Sequence, residues 1–469
     1  MKRLPVLKVA VVGHTNTGKT SLLRTLTRNA GFGAISNRPA TTRHVEGVSL
    51  LVDGAPSIEL YDTPGLEDSI GLLELLDRLN GGRRRYGIEL IEQFLASPAA
   101  KVKGEFEQEA KALRQVLASD IALYVIDARD RIMAKHRDEL EILARCTKPV
   151  VPVLNFIASS VAKTAEWREH LAKVNLHAVV EFDTVVVDEY GERRLFEKTQ
   201  TLLDKFYHTL QAVIDDRQRQ RTILNRTSAE VLAELLLDVA AYRIILPMDI
   251  DKNAAMAALK QRVREREQQG VDALLELFRF RLDDYAMETL PIKDGQWGID
   301  LFNPASLKQF GVRASRGAAA GAVAGLAIDA AVGGASLGAG AAIGATIGAL
   351  LDGSRTHGKR LADYFRGFTE LRVNDETLRL LAVRQIELVR ALFRRGHASQ
   401  EKIRLNAKTL DKAWTGYRLP PVLENAKVNP AWSRLNGAAP EMLGSDIGRL
   451  TARETLAQLI ETSFSQAAG

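Results

Sequence analysis

A glycine-rich stretch near the start of the chain, Gly13 to Thr20, limits the possible folds more than any other part of the sequence. It reads GHTNTGKT and fits the pattern G-x-x-x-x-G-K-[ST]. A short apolar run, Val6 to Val12, precedes it, and Ser21 to Thr27 continues as the first turns of a helix. A strand, a glycine loop and a helix in this order point backbone N–H groups inward, where they bind phosphate oxygens at the positive end of the helix. The stretch therefore predicts a loop that binds a polyphosphate.

Two side chains of this loop have roles that follow from the motif. Lys19 is expected to reach the terminal phosphates, and the hydroxyl of Thr20 is expected to coordinate Mg²⁺. The alternative is a glycine turn that joins a strand to a helix and binds nothing. The elements on both sides of the loop favour the phosphate-binding interpretation.

Length and composition set wider limits. With 469 residues, of which 46% are apolar, the chain is long enough for two or three domains. The net charge of +6 permits an anionic partner, such as RNA or lipid headgroups, without requiring one. A single cysteine, Cys146, excludes an intramolecular disulfide framework and favours the reducing cytoplasm. Lys2 and Arg3 precede apolar residues as in a signal peptide, but the short apolar run ends in the glycine loop, so we expect a strand there.

A β-hairpin is predicted after the loop. Val45 to Val52 and Ile58 to Tyr61 are strand-like runs separated by the turn signal Asp53-Gly54. The second run ends in Asp62-Thr63-Pro64-Gly65. An aspartate at the carboxyl end of a strand near a phosphate loop suits a Mg²⁺ partner. The N–H group of Gly65 is placed to contact a γ-phosphate.

A third motif lies between these two, where the polar stretch 36–43 contains the pair Thr41-Thr42. The glycine loop, the threonine pair and D-T-P-G, in this order and separation, resemble the TrmE/Era branch of the translation-factor-related (TRAFAC class) GTPases over roughly residues 6–210. The resemblance implies a GTP/GDP site and Mg²⁺. It also implies slow turnover, because Leu66 stands where Ras-like enzymes have a water-orienting glutamine.

Carried over motif by motif, the resemblance implies three sets of site residues. The implied catalytic residues are Lys19, Thr42 and Gly65. The implied Mg²⁺ ligands are Thr20, Thr42 and Asp62. The other implied nucleotide contacts are Gly13, Asn16, Thr17, Gly18, Ser21, Thr41, Asn155 and Phe156. Relatives that are activated by potassium have an asparagine at the position of Asn16, which implies a K⁺ ion in place of an arginine finger.

The base-reading motif departs from the family. Relatives carry N-K-x-D, whose aspartate accepts two hydrogen bonds from guanine, whereas this chain reads Asn155-Phe156-Ile157-Ala158. Phe156 is a candidate apolar platform for the base. Asp183, in the next predicted strand (Ala178 to Val187), is either a substitute for the missing aspartate or an ordinary polar residue at a strand's edge. Guanine preference is therefore implied by the resemblance alone, and ATP stays an alternative.

Residues 67–118 exceed a minimal switch region and predict an insertion. Apolar residues at helical spacing indicate helices at Ile70 to Leu79 and Ile88 to Leu95. The run Gly81-Gly82-Arg83-Arg84-Arg85 is either a solvated basic loop or the source of an arginine finger.

Strands and helices alternate beyond the insertion. Ile121 to Asp127 predicts a central parallel strand, followed by a helix from Ala134 to Arg145 and a strand from Val150 to Leu154. We therefore predict an α/β P-loop NTPase domain over residues 1–212, with a mostly parallel sheet flanked by helices, and a mainly α-helical domain over 213–469.

The second half shows helical periodicity and few strand or hairpin signals. Helices are predicted at Thr201 to Ile214, Ser228 to Ala241, Asn253 to Gln268, Val271 to Leu282 and Glu376 to Arg395. The last of these has a basic polar side, formed by Arg379, Arg384, Arg390, Arg394 and Arg395. This side is expected to be a solvated face, or else a surface that docks on a membrane or RNA. Trp414 and Trp432 are expected to be packing anchors.

Residues 316–352 are almost wholly apolar and contain two ladders with glycine at every fourth position. Such ladders let a second backbone approach closely, so we predict a hairpin of two helical legs, a glycine zipper. Legs of about 15 residues span only about 22 Å, less than the ~30 Å hydrocarbon core, and Asp329 would cost roughly 3 kcal/mol in lipid. A hairpin buried in the protein, membrane contact and self-association are the three interpretations.

A GTPase domain followed by a helical region with a glycine-rich patch resembles bacterial GTPases with a DUF3482-type C-terminal region. We predict a slow Mg²⁺-dependent GTPase that acts as a conformational switch, located in the cytoplasm, with peripheral contact to the inner face of the membrane as an alternative. A non-catalytic nucleotide-binding scaffold and an RNA- or ribosome-associated GTPase are the other candidates. The sequence does not identify a protein partner.

Overall fold

A computed structural model describes residues 4–27, 45–81, 85–184, 190–247, 251–278, 292–293, 296–297, 299–313, 326–330, 368–394, 412–437 and 440–465. The chain divides into two compact units, the first containing residues up to Gln220 and the second beginning at Arg221. The predicted stretch 36–43, with Thr41 and Thr42, and the arginines Arg83 and Arg84 lie outside the described residues.

The first unit is an α/β domain around one six-stranded sheet. The strands are β1 (Leu7–Val12), β2 (Glu46–Val52), β3 (Ala55–Asp62), β4 (Ile121–Asp127), β5 (Val150–Asn155) and β6 (Val180–Glu181). Their order is β2-β3-β1-β4-β5-β6, and only the β2–β3 pair is antiparallel. The helices are α1 (Lys19–Thr27), α2 (Ser69–Asn80), α3 (Gly87–Ala96), α4 (Glu107–Ala118), α5 (Ala134–Arg145), α6 (Thr164–Lys173) and α7 (Gly191–Leu202). The predicted fold class is confirmed.

Apolar cores on both faces of the sheet determine this arrangement. Every residue of β4 is buried, as expected for a parallel strand that is covered on both sides. Its alternate residues belong to two separate cores, with Leu123 in one and Tyr124 in the other. Parallel strands bring their carboxyl ends to one edge of the sheet. The segments after β1, β3, β4 and β5 therefore meet there.

The predicted insertion folds as helices α2, α3 and α4, which pack on one of these cores. Leu72, Leu76 and Ile91 are fully buried there, and the rings of Phe94 and Phe106 meet edge to face at 6.3 Å. The guanidinium of Arg85, the one residue of the basic triplet that the structure describes, donates to Gln93 Oε1 at 2.6 Å. Nothing there tests an arginine-finger role.

The second unit is mainly helical, as predicted, but it also contains antiparallel strands. Its helices are α8 (Tyr207–Ala241, which begins in the first unit), α9 (Lys252–Leu277), α10 (Pro304–Gln309), α11 (Asp375–Arg394), α12 (Lys412–Thr415), α13 (Pro421–Lys427), α14 (Pro440–Ser445) and α15 (Ile447–Ser465). The strands are β7 (Arg243–Pro247), β8 (Ile292–Lys293), β9 (Gln296–Trp297), β10 (Leu326–Ala330) and β11 (Phe368–Val373). A three-stranded sheet in the order β10-β11-β7 was not predicted, because each strand is short and pairs with residues far away in sequence.

Two long helices replace four predicted shorter ones. Helix α8 has 35 residues and α9 has 26, so the breaks expected near residues 215–227 and 269–270 are wrong. Gly270 interrupts the sequence pattern but not the helix. A Cβ atom there would lie 3.0 Å from Leu235 Cδ2, so the glycine permits close packing of α9 on α8. Tertiary packing therefore outweighs the low helix propensity of glycine.

The glycine-zipper segment 316–352 is described only at Leu326–Ala330. These residues form β10 and pair antiparallel with β11, with Leu326 opposite Val373. The prediction of a continuous helical leg is therefore wrong at this point, because a partner strand satisfies the backbone. Among the described residues, no helix is both long enough and apolar enough to cross a membrane.

The basic side of the helix now numbered α11 is buried, so the prediction of a solvated or docking face is wrong. Arg379, Arg384 and Arg390 are at most 4% exposed. Arg379 donates to the carbonyl of Arg313 at 3.1 Å, and Arg390 donates to Glu387 Oε1 at 2.6 Å and to the carbonyl of Ser463. The carbonyl oxygens of Arg313 and Ser463 therefore take the place of water for one nitrogen each of Arg379 and Arg390. The side chains of Arg394 and Arg395 lie outside the described residues.

Arg384 joins α11 to α9 through a buried ion pair. Its Nε lies 3.3 Å from Glu267 Oε1, and its guanidinium stacks 4.3 Å from the ring centre of Trp297. Burial raises the pKa of Glu267 to about 7 and lowers the pKa of Arg384. Trp414 and Trp432 are buried packing anchors, as predicted.

We predict that Glu267→Gln reduces the pH dependence of stability. Because the folded-state pKa of Glu267 is raised from 4.5 to about 7, its contribution to stability is complete below pH 4.5 and is lost as the pH rises through 7. The free energy of unfolding of the wild type should fall relative to the variant, by at most about 3 kcal/mol, between pH 5 and pH 8. Urea unfolding at four pH values measures this difference. Glu265→Gln, on the exposed face of α9, is the control, and parallel curves for wild type and Glu267→Gln would contradict the prediction.

Candidate nucleotide-binding site

The glycine loop after β1 lies directly against the neighbouring strands. Gly13 and Gly18 have φ angles of 142° and 92°, which favour glycine. A Cβ on Gly13 would lie 2.4 Å from the carbonyl oxygen of Val125, and one on Gly18 would lie 2.3 Å from Asn155 Nδ2. Asn16, at the exposed tip, is also left-handed, with φ 63°. The loop therefore has the tight shape that leaves its backbone amides available to a phosphate chain.

Lys19 lies inside this loop. Its side chain is buried, and Nζ donates to the carbonyl oxygens of Gly13 at 3.0 Å and His14 at 2.7 Å. Burial lowers the pKa of Lys19, while Asp62, Glu139 and Glu67 raise it. The nearby carboxylates offset part of the cost of burying this positive charge, and an anionic ligand would offset more of it.

Thr20 and Asp62 are brought together at the start of α1. The Thr20 hydroxyl donates to Asp62 Oδ2 at 2.5 Å. Asp62 is 1% exposed, its Oδ1 has no hydrogen-bond partner among the described residues, and burial raises its pKa. A buried carboxylate with an unsatisfied oxygen beside a hydroxyl fits a divalent cation. Two of the three predicted Mg²⁺ ligands therefore meet, whereas Thr42 lies outside the described residues.

The remaining loop residues act differently. Thr17 is buried and donates its hydroxyl to the carbonyl of His14 at 3.0 Å, so this side chain supports the loop itself. Ser21 lies in the first turn of α1 and is partly exposed. The Thr17 hydroxyl is therefore engaged within the loop.

The D-T-P-G segment packs onto the loop. A Cβ on Gly65 would lie 2.8 Å from Thr15 Cγ2 and 2.9 Å from the Thr15 nitrogen, so this glycine permits a very close approach. Leu66 is fully buried, and its N–H donates to the carbonyl of Gly13 at 3.4 Å. Thr63 donates its hydroxyl to the carbonyl of Val11 at 2.7 Å. Gly65 therefore lies directly against the glycine loop.

His14 links the loop to a buried carboxylate that the sequence did not reveal. Its Nδ1 lies 3.0 Å from the carbonyl oxygen of Leu66 and 3.0 Å from Glu139 Oε1. A carbonyl oxygen only accepts, so Nδ1 carries the proton. Glu139, on α5, is fully buried, and its other oxygen accepts the Tyr124 hydroxyl at 2.6 Å. Burial, together with Glu139, raises the pKa of Tyr124 well above its usual value.

Asn155, the one retained base-motif residue, supports the site instead of facing a ligand. It is fully buried, and its Nδ2 donates to the carbonyl of Thr17 at 3.0 Å. Its Oδ1 accepts the N–H groups of Phe156 at 2.9 Å and Thr184 at 3.0 Å. Asn155 thus joins the glycine loop to β5 and to the segment after β6. Strand β6 itself, Val180–Glu181, is shorter than the predicted strand from Ala178 to Val187.

Three other side chains surround the base-motif positions. Phe156 is left-handed, with φ 59°, and the guanidinium of Arg129 lies 4.1 Å from its ring centre. Arg129 also forms a two-pronged pair with Asp127, at 2.9 and 2.7 Å, which raises the pKa of Arg129. Asp183, which is 4% exposed, accepts the Ala158 N–H at 2.8 Å through Oδ2. A carboxylate therefore lies beside the position where relatives have their aspartate. No motif in the sequence points to Arg129.

Two family profiles match the chain. The profile of DUF3482, a domain of unknown function, matches residues 168–447, which is more than half of the chain. A profile described as a 50S ribosome-binding GTPase matches residues 8–156.

Curated relatives are similar over part of the chain. A tRNA modification GTPase MnmE from Synechococcus elongatus is 22% identical over 255 residues, which cover 51% of this chain and 51% of that protein. A GTPase Der from Buchnera aphidicola is 27% identical over 153 residues, 32% of this chain and 27% of that protein. The chain spans about half the length of the MnmE relatives that it matches. Among solved structures, Era from Aquifex aeolicus bound to GDP·AlF4⁻ is 18% identical with a TM-score of 0.30, covering 58% of this chain and 90% of that one.

Proposed function

The chain belongs to the DUF3482 family and carries a TrmE/Era-like P-loop GTPase domain at its N-terminal end, and we propose that this domain hydrolyses GTP slowly as a Mg²⁺-dependent conformational switch. The observation that carries the proposal is the buried Lys19 ammonium inside the glycine loop, beside the Thr20–Asp62 pair. Two of the three motifs that predicted the family, the glycine loop and D-T-P-G, lie at this point of the fold.

The residues of the site have complementary tasks. Lys19 and the loop amides hold the phosphates and offset their charge, which is most of what catalysis of phosphoryl transfer requires. Thr20 and Asp62 hold Mg²⁺, which when bound neutralises charge on the phosphate oxygens. Gly65, packed against Thr15, offers its N–H to the γ-phosphate.

Slow hydrolysis of GTP is expected because Leu66 stands after Gly65. This side chain is fully buried and apolar, so it cannot orient an attacking water as a glutamine does. The same observation favours a second candidate, a scaffold that binds nucleotide without hydrolysing it.

We propose that Asp183 favours guanine. Its carboxylate lies within 2.8 Å of the Ala158 nitrogen, so it occupies the neighbourhood of the missing aspartate. A carboxylate accepts hydrogen bonds and therefore suits the donors of the guanine edge, whereas adenine presents an acceptor at the equivalent ring nitrogen. Phe156, with Arg129 on one face, is an apolar platform for the base.

Two segments, residues 36–43 and 66–85, are proposed to respond to the γ-phosphate. Nucleotide state reorders them, and the change is passed to the helical unit. Membrane contact through 316–352, a protein partner, self-association and RNA binding stay predictions from the sequence.

We predict that Lys19→Ala abolishes hydrolysis. Loss of one preorganised cationic donor should lower the single-turnover rate with GTP and Mg²⁺ by about 100-fold or more. Lys8→Ala, which removes an exposed lysine of β1, is the control. A wild-type rate no higher than that of Lys19→Ala would favour the scaffold.

We predict that hydrolysis is faster in K⁺ than in Na⁺. Asn16 at the exposed tip of the loop is the proposed ligand of the monovalent ion, which replaces the charge of an arginine finger. The expected ratio is about tenfold or more at equal ionic strength, and Asn16→Ala should remove it. Equal rates of the wild type in both salts would exclude this role.

We predict that Asp183→Asn loses discrimination between GTP and ATP. Replacing a charged acceptor by an amide should weaken GTP binding by about tenfold to a hundredfold and leave ATP binding nearly unchanged. Calorimetric titration with GTP, ATP, GDP and ADP in Mg²⁺ measures the change. Asp53→Asn, at the exposed hairpin turn, is the control, and an equal loss for both bases would assign Asp183 to folding alone.

A further inference from the structure

The segment that follows D-T-P-G is held by a carboxylate from the insertion. Glu109, on α4, is 4% exposed, and its Oε1 accepts the N–H groups of both Glu67 and Asp68 at 3.1 Å. Glu67 and Asp68 are themselves exposed residues. Their amides precede α2, where the first N–H groups have no partner within the helix. A charged acceptor makes stronger hydrogen bonds than a neutral one, so Glu109 is a firm anchor for this segment.

The other side of the same segment is held by the glycine loop. Gly65 packs against Thr15, and the carbonyl of Leu66 lies 3.0 Å from His14 Nδ1. Residues 65–68 therefore lie between two supports, the loop on one side and the insertion on the other. We call these four residues the clamped segment.

The insertion itself is fixed by packing. Phe106, just before α4, is buried against Phe94, and Leu113 of α4 is fully buried in the same core. Arg114 donates to the carbonyl of Ala100 at 3.0 Å, which ties α4 to the preceding turn. Glu109 is thus presented by a helix that is packed in the core through residues other than those of the clamped segment.

We propose, on the premise that the site binds GTP, that Glu109 is a positioning residue that sets the preference for triphosphate over diphosphate. By accepting the N–H groups of Glu67 and Asp68, it raises the population of the arrangement with Gly65 at the glycine loop before nucleotide arrives, and a γ-phosphate then completes the ordering. Part of the conformational entropy of ordering the segment is thus lost in folding and not in binding. Only a nucleotide with a γ-phosphate gains from this, because GDP does not reach Gly65.

The test compares Glu109→Ala and Glu109→Gln with the wild type. Calorimetry with Mg²⁺ gives the affinities for a non-hydrolysable GTP analogue and for GDP. Glu109→Ala should weaken binding of the GTP analogue about tenfold and change GDP binding less than about twofold, since it removes two charge-assisted hydrogen bonds. Glu109→Gln, whose amide oxygen still accepts, should lose about threefold. Glu105→Gln, an exposed residue one turn before, is the control and should match the wild type.

A second measurement needs no nucleotide. In the free protein, the amide hydrogens of Glu67 and Asp68 should exchange at least about tenfold faster in Glu109→Ala than in the wild type or in Glu105→Gln. An unchanged exchange rate, or an equal loss of affinity for both nucleotides, would overturn the inference and leave the proposed function standing. Failure of the wild type to bind either nucleotide would overturn both. If Glu109→Ala does not fold, the ratio of affinities in Glu109→Gln decides.

Discussion

The site depends on the contact between the glycine loop and the carboxyl ends of β4 and β5. A methyl group on Gly13 or Gly18 would collide with the Val125 carbonyl or with the Asn155 amide. The loop can therefore approach the neighbouring strands this closely because these two positions have no side chain. Asn155 completes this contact by bonding to Thr17, Phe156 and Thr184 at once. The neighbouring strands thus determine the position of the glycine loop.

Buried charges surround this loop, and they explain why it suits a charged ligand. Lys19 is enclosed with Asp62 and Glu139 nearby, and burial displaces the pKa values of both Lys19 and Asp62 toward the neutral form. Such desolvated groups gain more from a ligand of opposite charge than exposed groups do. Asp62 Oδ1, which accepts no hydrogen bond from the described residues, is therefore complementary to a magnesium ion. The ammonium of Lys19 is complementary to a polyphosphate.

The same use of buried charge recurs in the second unit, where it has a different consequence. Arg379, Arg384 and Arg390 are removed from water on α11. Breaking such a contact leaves an uncompensated charge, so these arginines constrain how the surrounding elements pack. In the first unit, Glu109 accepts backbone N–H groups of the clamped segment, and Glu139 contacts His14 of the glycine loop. Helices α4 and α5 are thereby connected to the site.

The sequence by itself determined the fold of the first unit and the location of the phosphate loop. Strand β4, helix α5 and the hairpin of β2 and β3 follow from local patterns of apolar residues and turn signals. The roles of His14, Arg129, Glu109 and Glu139 were decided only by tertiary structure, because each depends on partners far away in sequence. The same reason accounts for the errors in the second unit. From the sequence alone, the polar stripe on α11 is expected to face solvent and Leu326–Ala330 is expected to be helical. Both expectations fail because distant segments bury the stripe and pair with Leu326–Ala330.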